Sequence, residues 1–203
     1  MAIKKSELYS AIWKSCDELR GGMDASEYKN YVLTLLFIKY VTDKFKDEPY
    51  PDVIIPQGGS FDDIIACKNK PNIGEEMNKI IAKLAEVNQL SGIVNSADFD
   101  DEKKIGKGNE KVEKLTNLIT IFETSFNFSK NKASGDDIIG DAYEYLMKNF
   151  ATESGKSKGQ FYTPAEVSRI IAKIIGAGNA IEASKTVYDP ACGSGSLLIR
   201  ASN

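Results

Sequence analysis

A mainly α chain is predicted: a helical N-terminal domain over residues 1–150, a linker or lid over 151–162, and the truncated start of a parallel α/β domain over 163–203. Three observations carry this prediction. Apolar residues recur at spacings of three and four along most of the first 150 positions, in blocks separated by cap and breaker signals. The stretch Thr152-Glu153-Ser154-Gly155-Lys156-Ser157-Lys158-Gly159 is polar and without periodicity, as a connecting segment is. Residues 186–199 read Thr186-Val187-Tyr188-Asp189-Pro190-Ala191-Cys192-Gly193-Ser194-Gly195-Ser196-Leu197-Leu198-Ile199, a short β-branched run, a tight turn with two glycines, and the first turn of an apolar helix. A parallel sheet needs several strands joined by crossover helices. With one candidate strand, the second domain is expected to be incomplete.

The elements follow in order. Leu8, Ile12, Cys16 and Leu19 stripe a first helix, which Arg20-Gly21-Gly22 interrupts. Asp24 with Glu27 then caps a long second helix striped by Tyr28, Tyr31, Val32, Leu35, Ile38, Thr42 and Phe45. Pro49, Pro51 and Pro56 end it. Ser60 and Asp63 start a short helix, and Asn72 precedes one carrying Ile73, Met77, Ile80, Ile81, Leu84 and Val87 as far as Gly92. Val112, Leu115, Ile119 and Phe122 mark the next, and Ile138, Ile139, Ala142, Tyr143, Leu146, Met147 and Phe150 the one after. These stripes are read as core, because an amphipathic helix needs such a face simply to pack. A further helix opens at Gly159-Gln160-Phe161-Tyr162-Thr163-Pro164-Ala165-Glu166. Thr163 suits the N-cap, Pro164 the first helical position, and Glu166 the third, while Val167, Ile170, Ile171 and Ile174 share one face.

Composition narrows the chemistry. At 203 residues and 42% hydrophobic, the chain can bury one good core or two small ones, and it carries no apolar run of membrane-spanning length. There is no histidine, so Ser-His and Cys-His nucleophile pairs and histidine-ligated zinc are excluded. Cys16, Cys67 and Cys192 form no C-x-x-C pair, and no secretory leader pattern opens the chain; a cytoplasmic location is expected. Residues 1–150 hold 20 Lys and Arg against 25 Asp and Glu, a net of −5, and residues 151–203 hold 6 against 4, a net of +2. Neither part has the dense basic stripe of a free-standing nucleic-acid grip. Asp98, Asp100, Asp101 and Glu102 lack the glycine and terminal glutamate of a calcium loop and read as a solvated acidic turn, with no metal.

The glycine turn points to a cofactor. Its glycines permit close approach to the main chain, and the helix start offers unpaired N–H groups to an electron-rich ligand. A dinucleotide fingerprint needs a third glycine at 198, where the residue is Leu. Asp-x-x-x-Gly-x-Gly instead places an acid at the strand end, suited to a cationic ammonium and unsuited to phosphate. S-adenosylmethionine carries such an ammonium and no phosphate. Taken alone, the pattern leaves an ordinary strand-to-helix turn equally open. Gly155-Lys156-Ser157 imitates the end of a Walker A loop, but the earlier glycine would fall at 150, which is Phe.

Gln160-Phe161-Tyr162-Thr163-Pro164 followed by Asp189-Pro190-Ala191-Cys192-Gly193-Ser194-Gly195 resembles the paired cofactor motifs of N6-adenine DNA methyltransferases. The segment from Leu19 to Lys29, with Val32-Leu33 and Leu35-Leu36-Phe37-Ile38-Lys39-Tyr40, resembles the helical domain that opens the modification (M) subunit of type I restriction-modification systems. The resemblance implies a Rossmann-like, S-adenosylmethionine-dependent methyltransferase domain after the helical one. It also implies double-stranded DNA as substrate, and as partners the specificity (S) subunit, the restriction (R) subunit and a second copy of the M subunit, with no membrane. On that basis Asp189 contacts the methionine ammonium. Gly193, Ser194, Gly195 and Ser196 give close backbone approach beside Pro190, and Gln160, Phe161, Tyr162, Thr163 and Pro164 cover the methionine end or the adenosyl group. The Asn/Asp-Pro-Pro-aromatic motif with which the family holds the flipped base is absent, so no catalytic residue is assigned and this chain alone is expected to be inactive. The alternative is a non-catalytic helical interaction module with a vestigial cofactor turn.

Overall fold

The structure is a computed structural model that describes residues 4–129, 138–153, 165–176, 179, 184–192, 195, 197, 198 and 201. Contacts divide the chain into two compact units, Met1–Ala142 and Tyr143–Asn203. The first holds α1 (Lys5–Leu19), α2 (Ala25–Phe45), α3 (Phe61–Ile65), α4 (Ile73–Val87) and α5 (Gly108–Ser125), together with the first residues of α6 (Ile138–Glu153). α7 (Ala165–Ile174) belongs to the second.

Local chemistry starts these helices, and at α2 and α3 it does so where the sequence places them. At α1, Glu7 Oε2 accepts the Lys4 N–H at 3.1 Å, and at α2 Glu27 Oε2 accepts the Asp24 N–H at 3.3 Å. Ser60 and Asp63 satisfy each other at α3: the Asp63 N–H donates to Ser60 Oγ at 3.2 Å, and the Ser60 N–H to Asp63 Oδ2 at 2.9 Å. Each pair removes backbone donors that a helix start otherwise leaves open.

Helices α1 and α2 pack on each other and on α5, while α3 and α4 cover α5 further along. The expected stripes are the core: Leu8, Ile12, Cys16 and Leu19 of α1, Val32, Leu35 and Ile38 of α2, and Leu115, Ile119 and Phe122 of α5 are buried. Val87 departs from its stripe and is 46% exposed, because α4 ends there and the chain turns away through Gln89 at φ 57°. An aromatic chain runs through the core, with ring centroids 6.3 Å apart for Phe61 and Phe122, 4.9 Å for Phe122 and Phe126, and 5.7 Å for Phe126 and Phe128. Burying each such side chain contributes about 1.5–3 kcal/mol.

The segment 88–107 has no helix, yet it is fastened to α2 and α4. Thr34 Oγ1 donates to the Val94 carbonyl at 2.9 Å, the Tyr31 hydroxyl to the Asp98 carbonyl at 3.0 Å, and the Phe99 N–H to Asn78 Oδ1 at 2.9 Å. Phe99 and Ile105 are fully buried, and Phe99 meets the Tyr31 ring edge-on at 5.1 Å. The acidic turn here is more than a solvated one. Asp98 Oδ1 accepts from Asn78 Nδ2 at 2.7 Å, Asp100 pairs with the buried Lys111 at 2.5 Å, and Glu102 pairs with Lys107 at 3.1 Å. Among the described residues no cluster of His, Cys, Asp and Glu is arranged to hold a metal. Lys104 closes the segment onto Glu27 at 2.7 Å, and its ammonium holds the Glu27 carboxyl below the usual range. Burial pushes the Tyr31 phenol up to about 12.

In the second unit three of the four residues of the α7 aliphatic stripe are exposed, and Ile171 is half-buried. Val167 is 42% exposed, Ile170 57% and Ile174 78%, whereas Ser168 and Ala172 are covered, and the buried Ser168 Oγ has no hydrogen-bond partner among the described residues. The expected strand at 186–189 is not formed: residues 185–189 carry no ladder, Val187 and Tyr188 are exposed, and no strand occurs among the described residues. A strand exists only through hydrogen bonds to a neighbouring strand, and none is formed among the described residues. The described structure is therefore helical, and the Rossmann-like start is not seen as a sheet. The linker or lid of 151–162 falls outside the described residues from position 154 onward, as does the side chain of Phe150. No helix among the described residues is long and apolar enough to cross a membrane.

Candidate functional site

Three of the predicted site residues, Asp189, Pro190 and Gly195, lie in described segments of one short turn. Gln160, Phe161, Tyr162, Thr163, Pro164, Gly193, Ser194 and Ser196 lie outside the described residues. The turn opens at Asp189, a half-buried residue flanked by the exposed Tyr188 and Pro190. Its Oδ1 accepts the Ala191 N–H at 3.0 Å. Proline fixes φ and lacks an N–H, so the amide of Ala191 is the first that follows the carboxylate, and a side-chain acceptor two residues back is a common way to hold a turn.

Further along, the Gly195 N–H donates to the Cys192 carbonyl at 2.7 Å, and Gly195 takes φ +75°. A Cβ added there would meet nothing within 4 Å. Glycine is thus required at 195 by backbone conformation and not by crowding within the chain. Leu197 and Leu198, both half-buried, are helical and continue the turn. Cys192 is exposed and carries a free thiol.

The turn thus combines a carboxylate hydrogen-bonded at one oxygen, the exposed residues 190–192 and a left-handed glycine, and its one charge is complementary to a cation. The sequence from Asp189 to Gly195 contains no lysine or arginine. The sequence assigns Asp189 to a ligand, and the structure adds its bond to Ala191. The signal was present in the order Asp-Pro-x, because Asp side chains bond backbone amides two positions on.

Residues 8–122 match the family model of the HsdM N-terminal domain, and residues 134–203 that of the N-6 DNA methylase. The chain is similar to the type I restriction enzyme MpnII methylase subunit of Mycoplasma pneumoniae, with 29% identity over 93% of this chain and 42% of that protein. It is also similar to the EcoKI methylase subunit of Escherichia coli, with 26% identity over 98% of this chain and 35% of that protein. Among solved structures, the methyltransferase subunit of a type I restriction-modification system from Streptococcus thermophilus superimposes with a TM-score of 0.66 at 24% identity, covering 98% of this chain and 49% of that one, a likeness of fold. The chain spans less than half the length of each of these relatives.

Proposed function

We propose, for a chain that belongs to the HsdM N-terminal domain family and corresponds to the N-terminal part of a type I methylase subunit, that residues 160–164 and 189–196 bind S-adenosylmethionine for methylation of adenine N6 in DNA. The observation that carries this reading is the half-buried Asp189 carboxylate held at the mouth of a turn with the left-handed Gly195. It suits a ligand whose recognised end is an ammonium.

In this reading residues 1–150 are the helical domain, residues 151–162 connect or cover, and residues 163–203 begin the cofactor domain. Asp189 holds the ammonium, and the backbone from Gly193 to Ser196 lies against the ligand beside Pro190. Gln160, Phe161, Tyr162, Thr163 and Pro164 close over it. S-adenosylmethionine supplies an electrophilic methyl group on a sulfonium. The chain's own groups orient that cofactor, and none of the described residues is a candidate to hold the target base, so transfer depends on a longer polypeptide. The assembly proposed is a cytoplasmic one, with a second M subunit, the S and R subunits, and double-stranded DNA.

Calorimetric titration of a polypeptide extended through the methyltransferase domain tests the assignment. S-adenosylmethionine is expected to bind and NAD not to. Asp189→Ala removes a charge-assisted contact worth about 1.5–3 kcal/mol, or about ten- to a hundredfold in Kd, while Cys192→Ala changes Kd little. Equal binding by Asp189→Ala and the unaltered protein, or tighter binding of NAD, would reject the reading.

A further inference from the structure

The Asp189 carboxylate is already engaged before any ligand arrives. Oδ1 accepts the Ala191 N–H at 3.0 Å across Pro190, and the chain returns on itself where the Gly195 N–H meets the Cys192 carbonyl at 2.7 Å with Gly195 at φ +75°. Pro190 narrows the backbone to one φ and contributes no amide that competes for the carboxylate. Ala191 and Cys192 are exposed, so core packing does not hold them in place; the hydrogen bonds do.

We infer that Asp189 is a positioning residue for the turn as well as a ligand contact: Oδ1 fixes the backbone ahead of Gly195, and the ligand's ammonium takes the other carboxylate oxygen. This rests on the cofactor reading of the turn, but the two parts separate cleanly by chemistry. The positioning bond needs only an acceptor oxygen, which asparagine retains. The ligand contact needs the negative charge, which asparagine loses.

The test therefore compares Asp189→Asn with Asp189→Ala in two arms. In the first, amide exchange of the ligand-free 203-residue chain is read at Ala191 and Gly195, with the buried α2 amide of Leu35 as a control that each variant is folded. Asp189→Asn is expected to keep the exchange rates of the unaltered chain, and Asp189→Ala to exchange several-fold faster at both positions. Unchanged rates in Asp189→Ala would overturn the inference, as would an Asp189→Asn variant as fast as Asp189→Ala. In the second arm, S-adenosylmethionine is titrated into the longer polypeptide. A stepwise loss of affinity, from Asp to Asn and again from Asn to Ala, supports both roles. A single loss, with Asn and Ala equally weak, overturns the contribution of positioning to binding. If the cofactor reading alone is wrong, no variant changes affinity while the exchange pattern of the first arm stands.

Discussion

Gly22→Ala isolates the contact that seats segment 88–107 against the turn between α1 and α2. A Cβ on Gly22 would lie 1.9 Å from the Lys104 carbonyl oxygen and 2.8 Å from its carbon. Both are backbone atoms, so no side-chain rotation relieves the overlap, and the two segments must part by about 1 Å or more to reach ordinary packing. Moving Lys104 is costly, because Ile105 beside it is fully buried and its ammonium is 2.7 Å from Glu27. Overpacking of this kind costs about 1–3 kcal/mol, set against about 0.4–1 kcal/mol gained by stiffening the unfolded chain. Gly21→Ala is the matched control, because its Cβ meets nothing within 4 Å and its cost of about 1–2 kcal/mol comes from φ +101° alone. Urea unfolding separates the two mechanisms when each is combined with Glu27→Gln. The ion pair is expected to lose its effect in the Gly22→Ala background, where Lys104 has moved, and to keep it in the Gly21→Ala background. A Gly22→Ala chain within about 0.5 kcal/mol of the unaltered one, or one in which Glu27→Gln still has its full effect, would refute the reasoning.

Phe122→Ala, at the centre of the aromatic chain and fully buried, is expected to cost about 3–5 kcal/mol in urea unfolding; a loss below about 1 kcal/mol would show that the cluster collapses around the cavity. The Tyr31 phenol is raised from 10.0 to about 12 in the fold, chiefly by burial. Its contribution is therefore full below pH 10 and declines as pH rises towards 12. Tyr31→Phe, compared with the unaltered chain across that window, is expected to show a shallower decline, and an equal or steeper one would contradict the assignment. The 203-residue chain, incubated with labelled S-adenosylmethionine and unmodified DNA, is expected to give no incorporation above blank; turnover like that of an intact methyltransferase would place the essential groups within these residues.

The helical half was legible because its signals are local. Ser60 with Asp63, and Asp24 with Glu27, each place a helix start within four residues, and the stripes from Leu8 to Phe45 report one buried face through spacing alone. Segment 88–107 was not legible. Its order comes from Asn78, Tyr31 and Thr34, side chains 20 to 67 positions away along the chain from the groups they hold. No periodicity records such a pairing, and Asp98 and Asp100, which face Asn78 and Lys111, look in the sequence like any exposed acidic pair.

In the second unit the legibility is reversed, because identity was easier to read than structure. The order Asp-Pro-Ala-Cys-Gly-Ser-Gly signals a glycine turn, and Gly195 takes φ +75°, while the bond from Ala191 to Asp189 is added by the structure. The strand before it and the helix of Val167, Ile170, Ile171 and Ile174 were equally readable as patterns, yet the one forms no ladder among the described residues and the other leaves Val167, Ile170 and Ile174 exposed. A hydrophobic stripe states which face a helix can bury, and burial itself is a property of what lies opposite. Turns close on their own atoms, whereas strands and amphipathic helices need neighbours. That difference explains why the Asp189–Ala191 and Cys192–Gly195 hydrogen bonds form within this chain while no sheet is formed among the described residues.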